Sequence, residues 1–477
     1  MLWIILGLIA GFLAVVLIRA ALFQPKPAPR DDLPARDFDA DAALTSLQKL
    51  VQCKTISHYD PEEEDDAEFR KLISLLPTLY PGVMRECSME RFEGRALLLR
   101  WRGKDENKDP AVMMAHYDVV PVNEDAWDKD PFGGIIEDGV LWGRGTLDTK
   151  ATMNGALFAA NTLIAEGFVP ERDVYFAFSG GEEVNGKGAS NIVDYFEKNN
   201  LTPHIVLDEG GAVVEGVFPG VKAPCGLIGI AEKGMMNVHF EVTSGGGHAS
   251  APAPVTSVGR LSRACCAMEK HPFPMHLTKP AAEMFDTLGR HSGFALKIIF
   301  ANMKLFGGAI GLLGRLTGGE INALVRTTVA FTQMQGSQAP NVMPPAASMV
   351  ANLRLNPKET VAKAKARIEK TVGDPKVSVT VMESEEPSRI SRIDCEGYDK
   401  VAAAVASTWQ GAIVSPYLMV QCSDSRHWGR ISDRVYRFSA MDMTGEERRT
   451  IHGNNERIRA DAVKKSVEFY LRLLSQC

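Results

Sequence analysis

Residues 111–121 read Ala-Val-Met-Met-Ala-His-Tyr-Asp-Val-Val-Pro, and this stretch decides the fold. Val112, Met113, Met114 and Ala115 form a short apolar run without polar alternation, the pattern of a strand buried on both faces. The run ends in His116, Tyr117 and Asp118. On an extended chain residues i and i+2 share a side, so His116 and Asp118 face the same way. A carboxylate beside an imidazole is how proteins fix the tautomer of a metal-ligating histidine. Alone, the triplet is equally a strand end with a solvated aspartate. Partners elsewhere in the chain decide.

Outward from this strand the chain repeats one pattern. Ala96–Trp101 reads as a strand before it. After it, Leu141–Lys150 (LWGRGTLDTK) is a glycine-punctuated loop ending near Asp148, and Ala151–Gly167 is a helix with Leu157, Leu163 and Ile164 inward. Val174–Phe178 is a strand running into Ser179-Gly180-Gly181-Glu182-Glu183, and His204–Leu207 is a strand running into Asp208-Glu209-Gly210. Strands alternating with helices, each strand ending in polar residues, predict a mostly parallel α/β sheet with its ligand site along the carboxyl edge.

Near Gly226 the texture changes. Met235–Val242 alternates as a half-buried strand, and Gly245-Gly246-Gly247-His248 follows. A helix over Val255–Lys270, strands over Val325–Met334 and Ala347–Leu355, a helix over Lys358–Thr371 and a strand over Val377–Met382 complete a βαββαβ order. That is a ferredoxin-like module. Helices at Tyr398–Ser407 and Ala462–Leu474 resume the larger body, so the module is inserted in it. The expected division is an apolar anchor at 1–23, a Pro-rich linker at 24–39, a catalytic body at 40–226 and 387–477, and an insert at 227–386. Within the insert, Phe294–Leu316 is unusually apolar. It reads first as a packed helical pair, with a membrane-facing or lipid-accepting lid as the alternative.

The bulk numbers agree with this division. A chain of 477 residues exceeds what one core usually supports, and 45% apolar with 23% charged residues describes a globular protein. A net charge of -6 gives no basis for a nucleic-acid partner. The 8 cysteines show no CxxC pair and no framework spacing, so they read as scattered thiols. Leu2–Phe23 is almost wholly apolar, close to the ~20 residues that cross a bilayer. No basic residue precedes it and no small-x-small site follows, which favours a retained single-pass anchor over a cleaved signal. Orientation stays open, with the basic residues after the span pointing to a cytoplasmic body.

His116, Asp148, Glu183, either Asp208 or Glu209, and one later histidine thus sit at strand ends or in the loops after them. Nitrogen and oxygen donors without cysteine suit zinc, with manganese or cobalt as alternatives. Two metals close together need a bridging carboxylate, and the glycines before Asp148 let it turn inward. Of the adjacent Glu182 and Glu183, one can bind metal while its neighbour acts as general base and then acid.

The segments HYDVVP, GRGTLDTK, GGEEVNGKGA, LDEGG, GGGHASAP and IHGNNERI resemble the co-catalytic zinc amidohydrolases, a family that includes aminoacylase, carboxypeptidase S and carnosinase. The nearest resemblance within it is to carboxypeptidase S and the N-fatty-acyl-amino-acid synthase/hydrolase. Position by position, the resemblance implies that His116 binds one zinc, oriented by Asp118, and that Asp148 bridges two. It makes Glu182 the acid/base and Glu183 and His452 ligands of the second zinc. Asp208 or Glu209 completes the first zinc's ligands, with a slight preference for Asp208. His248 resembles the histidine that stabilises the oxyanion, reaching a second subunit in dimeric relatives, which implies a homodimer through the insert. Arg354 and Asn341 resemble groups that grip the substrate carboxylate. Ser425 and His427 fall in a stretch like the family's substrate-binding loop.

The expected function is hydrolysis of an amide bond beside a free amino-acid carboxylate, as in a carboxypeptidase S-like peptidase using two Zn²⁺. The alternative in the same class is an N-fatty-acyl amino-acid hydrolase/synthase. From another class, the alternative is a membrane-tethered binding protein with a dead site.

Overall fold

The structure is a computed structural model and describes residues 1–27 and 29–477. Its larger unit is built on an eight-stranded sheet in the order Cys87–Phe92, Ala96–Trp101, Val174–Ser179, Ala111–His116, Ile205–Val214, Val435–Met443, Cys225–Glu232, Ile413–Met419. Ala111–His116 lies inside it, buried along its whole length and parallel to both neighbours. Its buried apolar run is what such a position requires.

The sheet is mixed rather than mostly parallel. Parallel pairs form its middle and the Cys225–Glu232/Ile413–Met419 edge. The chain enters through the antiparallel pair Cys87–Phe92/Ala96–Trp101, which joins Val174–Ser179 antiparallel. Ile205–Val214 then turns straight back into Cys225–Glu232. A parallel return needs a crossover helix, and this connection has none. The strand expected over His204–Leu207 therefore runs on to Val214 through Gly210-Gly211. There the strands approach so closely that a Cβ at Gly211 would lie 1.8 Å from the Leu227 carbonyl oxygen.

Helices cover both faces. Lys150–Ala165 is buried almost all round, between the sheet and the helix Ala460–Leu474. Gly188–Lys198 covers the opposite face, where the Phe196 and Trp428 rings meet edge to face at 4.8 Å.

The inserted unit is a four-stranded antiparallel sheet in the order Thr328–Gln335, Ala346–Leu355, Gly234–Thr243, Ser378–Glu385. Its inward residues, among them Met236, Val238, Phe240, Met349 and Leu353, pack under the helices Ser257–Lys270 and Val361–Val372. This is the βαββαβ order of a ferredoxin-like unit. Cys225–Glu232, wholly buried, still belongs to the large sheet, and the chain crosses at Lys233.

The apolar stretch inside the insert does not pack on the insert's sheet. Lys279–Gly289 lies on the Ile413–Met419 edge of the large sheet, with Phe285 and Leu288 buried there. Phe294–Phe300 lies against the N-terminal helix Leu2–Leu22, and Met303–Thr317 and Gly319–Val325 follow. Among the described residues, Leu2–Leu22 is the one single helix long and apolar enough to cross a membrane.

Candidate metal centre

The strand ends converge at the carboxyl edge of the large sheet. His116 closes its strand with its ring buried, and Nε2 lies 3.0 Å from Asp148 Oδ1 and 3.3 Å from Glu209 Oε1. On the other side of Asp148, His452 Nε2 lies 3.0 Å from Oδ2 and 3.1 Å from Glu183. One carboxylate therefore offers each of its oxygens to a different imidazole. His116, Asp148 and Glu183, and His116, Glu182 and Glu209, each bring three donor atoms within 4.8 Å of one another.

Asp118 builds the next layer. Its Oδ1 accepts from the Glu182 backbone N–H at 3.1 Å, and its Oδ2 from the Glu183 N–H at 3.1 Å and the Ser57 hydroxyl at 2.7 Å. Its main-chain carbonyl lies 3.0 Å from His116 Nδ1, whereas its carboxylate lies 3.5 Å away. The carbonyl thus receives the Nδ1 proton and leaves Nε2 as the donor atom, while the carboxylate holds the Glu182-Glu183 turn.

The structure brings Glu209, not Asp208, to His116. Consecutive strand residues point oppositely, and Asp208 Oδ2 turns to the Ser425 backbone N–H at 2.9 Å. His248 and Asn341 lie elsewhere, on a small exposed ladder of the insert where the Ala249 N–H donates to the Asn341 carbonyl at 3.0 Å. Neither lines the cavity at the cluster. Arg354 does not line it either, but its Nη1 lies 3.4 Å from the Sγ of Cys422, which does. His427 is half-buried, and burial pushes its imidazole down to about 4. Tyr117, which carried no assignment, is a packing residue whose hydroxyl donates to the Arg95 carbonyl at 2.5 Å.

One group went unassigned in the sequence. Glu456 is fully buried and ties both arms of the cluster together. Its Oε2 accepts from Arg144 Nη1 at 2.6 Å and the Gly145 N–H at 2.9 Å, and its Oε1 from the Leu147 and Asp148 N–H groups at 2.7 and 3.1 Å. Arg144 Nη2 also donates to the Gly453 carbonyl at 2.7 Å. The loop bearing Asp148 and the turn bearing His452 are thereby clamped on one ion pair. The signal lay in the quoted segment IHGNNERI, whose glutamate received no role.

The electrostatics fit a cation site. Burial pushes Glu182 and Glu183 up, Asp208 to about 7 and Glu209 to about 8. Hydrogen bonds to Asp148 and Glu183 raise His452 to about 10. Burial would lower His116, but Glu209, Asp118 and Asp148 pull it well above its ordinary value. Burial would raise Asp148, but the two histidines hold it well below. So much carboxylate at one water-poor spot is costly without positive charge. Divalent cations between these nitrogen and oxygen donors would supply it.

A cavity of about 480 Å³ opens from the cluster. Asp148, Glu182, Glu183, Glu209 and His452 form its floor. Val214, Leu227, Tyr417, Met419, Met443 and Ile451 form an apolar wall, and Arg448 and Glu320, paired at 2.8 Å, stand at the rim.

A mixed α/β body with an inserted ferredoxin-like unit and a histidine–carboxylate cluster at its strand ends defines a metal-dependent hydrolase class. The chain belongs to Peptidase family M20/M25/M40, whose model matches residues 112–476. It is 33% identical over 436 residues to the N-fatty-acyl-amino acid synthase/hydrolase PM20D1 of Xenopus tropicalis, covering 90% of this chain and 85% of that protein. It is 30% identical over 484 residues to the probable carboxypeptidase S-like 2 of Dictyostelium discoideum, covering 99% of this chain and 93% of that one. Among solved structures, the metallo-carboxypeptidase Sso-CP2 of Sulfolobus solfataricus superposes with a TM-score of 0.66 at 18% identity, covering 91% of this chain and 98% of that one. At that identity the likeness concerns the fold.

Proposed function

We propose that this protein is a two-zinc hydrolase of amide bonds beside a free amino-acid carboxylate, held at a membrane by its N-terminal helix. The observation that carries the reading is Asp148, whose two oxygens each lie 3.0 Å from a different histidine, His116 and His452. A carboxylate so shared suits a bridge between two cations. His116 and Glu209 would hold one ion, and His452 and Glu183 the other. Bound zinc supplies Lewis acidity at the scissile carbonyl and an acidified water.

The chain's own residues do the rest. Glu182 is fixed by its backbone N–H on Asp118, and burial holds its carboxyl well above the usual carboxylate range. It accepts a proton from the attacking water and returns it to the leaving amine as the C–N bond breaks. Arg354 and Asn341 take the substrate carboxylate, and His248 the developing oxyanion. His248 and Asn341 sit on the insert away from their own chain's cavity, so in this reading two copies pair and the insert of one serves the other.

The apolar wall of Val214, Leu227, Met419 and Met443 favours a second reading within the class, an N-acyl amino acid with a long acyl group. Two measurements test these proposals. Metal analysis of the purified protein should return two zinc equivalents per chain, falling in Glu209→Ala and unchanged in Asp208→Asn; a metal-free active enzyme overturns the reading. Assays on Gly-Leu beside oleoyl-phenylalanine decide between the two substrates, and a dominant rate on the dipeptide rejects the acyl one.

A further inference from the structure

The N-terminal helix does not hang free of the body. Val16 and Ala20 are its buried residues, packed against the helix Phe294–Phe300. Arg19 donates from Nη2 to the Ala301 carbonyl at 3.0 Å, and Asn302 donates from Nδ2 to the Val16 carbonyl at 3.2 Å. Where the helix ends, the Arg290 guanidinium lies 4.3 Å from the centre of the Phe23 ring and donates to the Gln24 carbonyl at 3.0 Å. Val16 stands six residues before the helix's last residue, about 9 Å along its axis. A body helix docked beside Val16 therefore sits about 9 Å below the level at which the chain leaves the apolar helix. That is the depth at which an amphipathic helix rests at the headgroup–acyl boundary.

The chain that follows is built for that level. Phe294–Phe300 and Met303–Leu316 are bent 103° from one another, so they do not continue as one straight rod. They leave Phe294, Leu305, Leu312 and Leu316 exposed, the last at 75%. Between Thr287 and Gly319 there is no Asp or Glu; Arg290 is ion-paired with Asp286 at 2.9 Å, and Lys297, Lys304 and Arg315 are the other basic residues of the stretch. Exposed apolar side chains interspersed with Lys297, Lys304 and Arg315 are the complement of an anionic lipid surface. The excursion also reaches the cavity, because Gly319–Val325 follows directly and carries Glu320 at the rim.

We infer that residues 294–317 form a second membrane contact, an interfacial platform that seats the body, with its cavity rim, on an anionic bilayer. The inference rests on reading Leu2–Leu22 as a membrane anchor. The platform adds to that anchor a fixed orientation: the body leans on the lipid instead of swinging on the 24–39 linker.

The test uses the full chain reconstituted in phosphatidylcholine vesicles containing phosphatidylglycerol, with the photo-crosslinker p-benzoylphenylalanine placed at one position at a time. Leu312 and Leu316 report the platform, Leu6 the anchor, and Met382, which is 62% exposed on the insert's sheet, serves as control. Each variant is first required to hydrolyse a soluble substrate at the unmodified rate, which establishes its fold. Lipid adducts at Leu312 and Leu316 at least tenfold above Met382 are expected. Adducts at Leu6 but none above control at Leu312 and Leu316 overturn the platform and leave the anchor standing. Absence of adducts at Leu6 overturns the anchor reading separately. A second variant, Leu312→Glu with Leu316→Glu, should lower the yield of adducts at Leu305; an unchanged yield also counts against the platform.

Discussion

The strand-end cluster and the inserted unit carry candidate groups for the same chemistry, yet they hold them in opposite ways. His116, Asp148, Glu183, Glu209 and His452 form a chain of contacts of 3.0 to 3.3 Å within one protein chain, fixed by sheet register and by buried acceptors. His248 lies exposed on a two-residue ladder of the insert, Asn341 directly precedes the paired strand Val342–Met343, and neither lines the cavity at the cluster. A group at a strand end is located by the hydrogen bonds of its neighbours, to fractions of an ångström. A group on a second unit is located by how that unit sits, or by what it meets. The cluster is thus fixed within one chain, and under the proposed function the insert's groups would complete it only by meeting a second copy.

The largest effect should come from inside the cluster. Glu182→Gln keeps the shape of the side chain and removes its basicity, so kcat should fall by about 10²–10⁴-fold with metal content unchanged. Steady-state kinetics with metal analysis on the same sample check this. A variant that keeps a tenth of the rate would deny Glu182 its role.

The insert offers the next test. His248→Ala should cost about 10²–10³-fold in kcat, the loss typical of one oxyanion donor. If the histidine serves a second copy, mixing this variant with Glu182→Gln should restore activity, because each hybrid pair has one intact site. Mixed samples no more active than their separate components would place the histidine's action within its own chain or nowhere in the reaction.

A smaller loss should follow from the clamp behind the cluster. Glu456→Gln leaves Arg144 a neutral partner and weakens four charge-assisted bonds to the Asp148 loop. Metal affinity should drop about 10–100-fold, as for other groups that orient ligands. Titration with a competing chelator measures it, and unchanged affinity would show that the loop holds its shape without the charge.

What was legible in the sequence follows the same division. The buried strand ends announced themselves through apolar runs stopping at His116, Glu182-Glu183 and Asp208-Glu209, because a strand buried on both faces leaves little choice of residue. The alternation of Gly234–Thr243 and its partners announced the second sheet in the same way. The choice between Asp208 and Glu209 was not legible, since both follow one apolar run and only the strand's pleat separates them. The antiparallel return into Cys225–Glu232 was hidden because its fully buried run carries no mark of direction. Glu456 was hidden for a different reason: its partners are backbone N–H groups more than 300 residues away in sequence, which no local pattern displays. Nor does periodicity say that the apolar helices near residue 300 pack on the large sheet's edge and the N-terminal helix, because apolar faces look alike whatever covers them.

The smallest expected effect lies at the crossing between the two regions. Lys233 is buried where the large sheet hands the chain to the insert, and its Nζ donates to the Ala323 and Arg326 carbonyls at 3.0 and 2.8 Å. It therefore ties the insert's first strand to the far end of the helix Gly319–Val325, whose first turn carries Glu320 at the cavity rim. Burial, with the charge of Arg354 nearby, lowers its ammonium group to about 7. An unfolded lysine titrates near ~10.4. Between those values the unfolded chain holds a proton that the native chain lacks, so this group makes stability rise with pH, by up to about 1.4 kcal/mol per pH unit. Below about 7 both states hold the proton, and the native state carries the cost of the buried charge. Lys233→Met should remove that rise, so chemical denaturation at pH 6 and pH 9 should show a smaller difference than in the parent protein. An identical difference in both would mean that the lysine stays charged in the fold, and that the crossing is held by a cation rather than by a neutral amine.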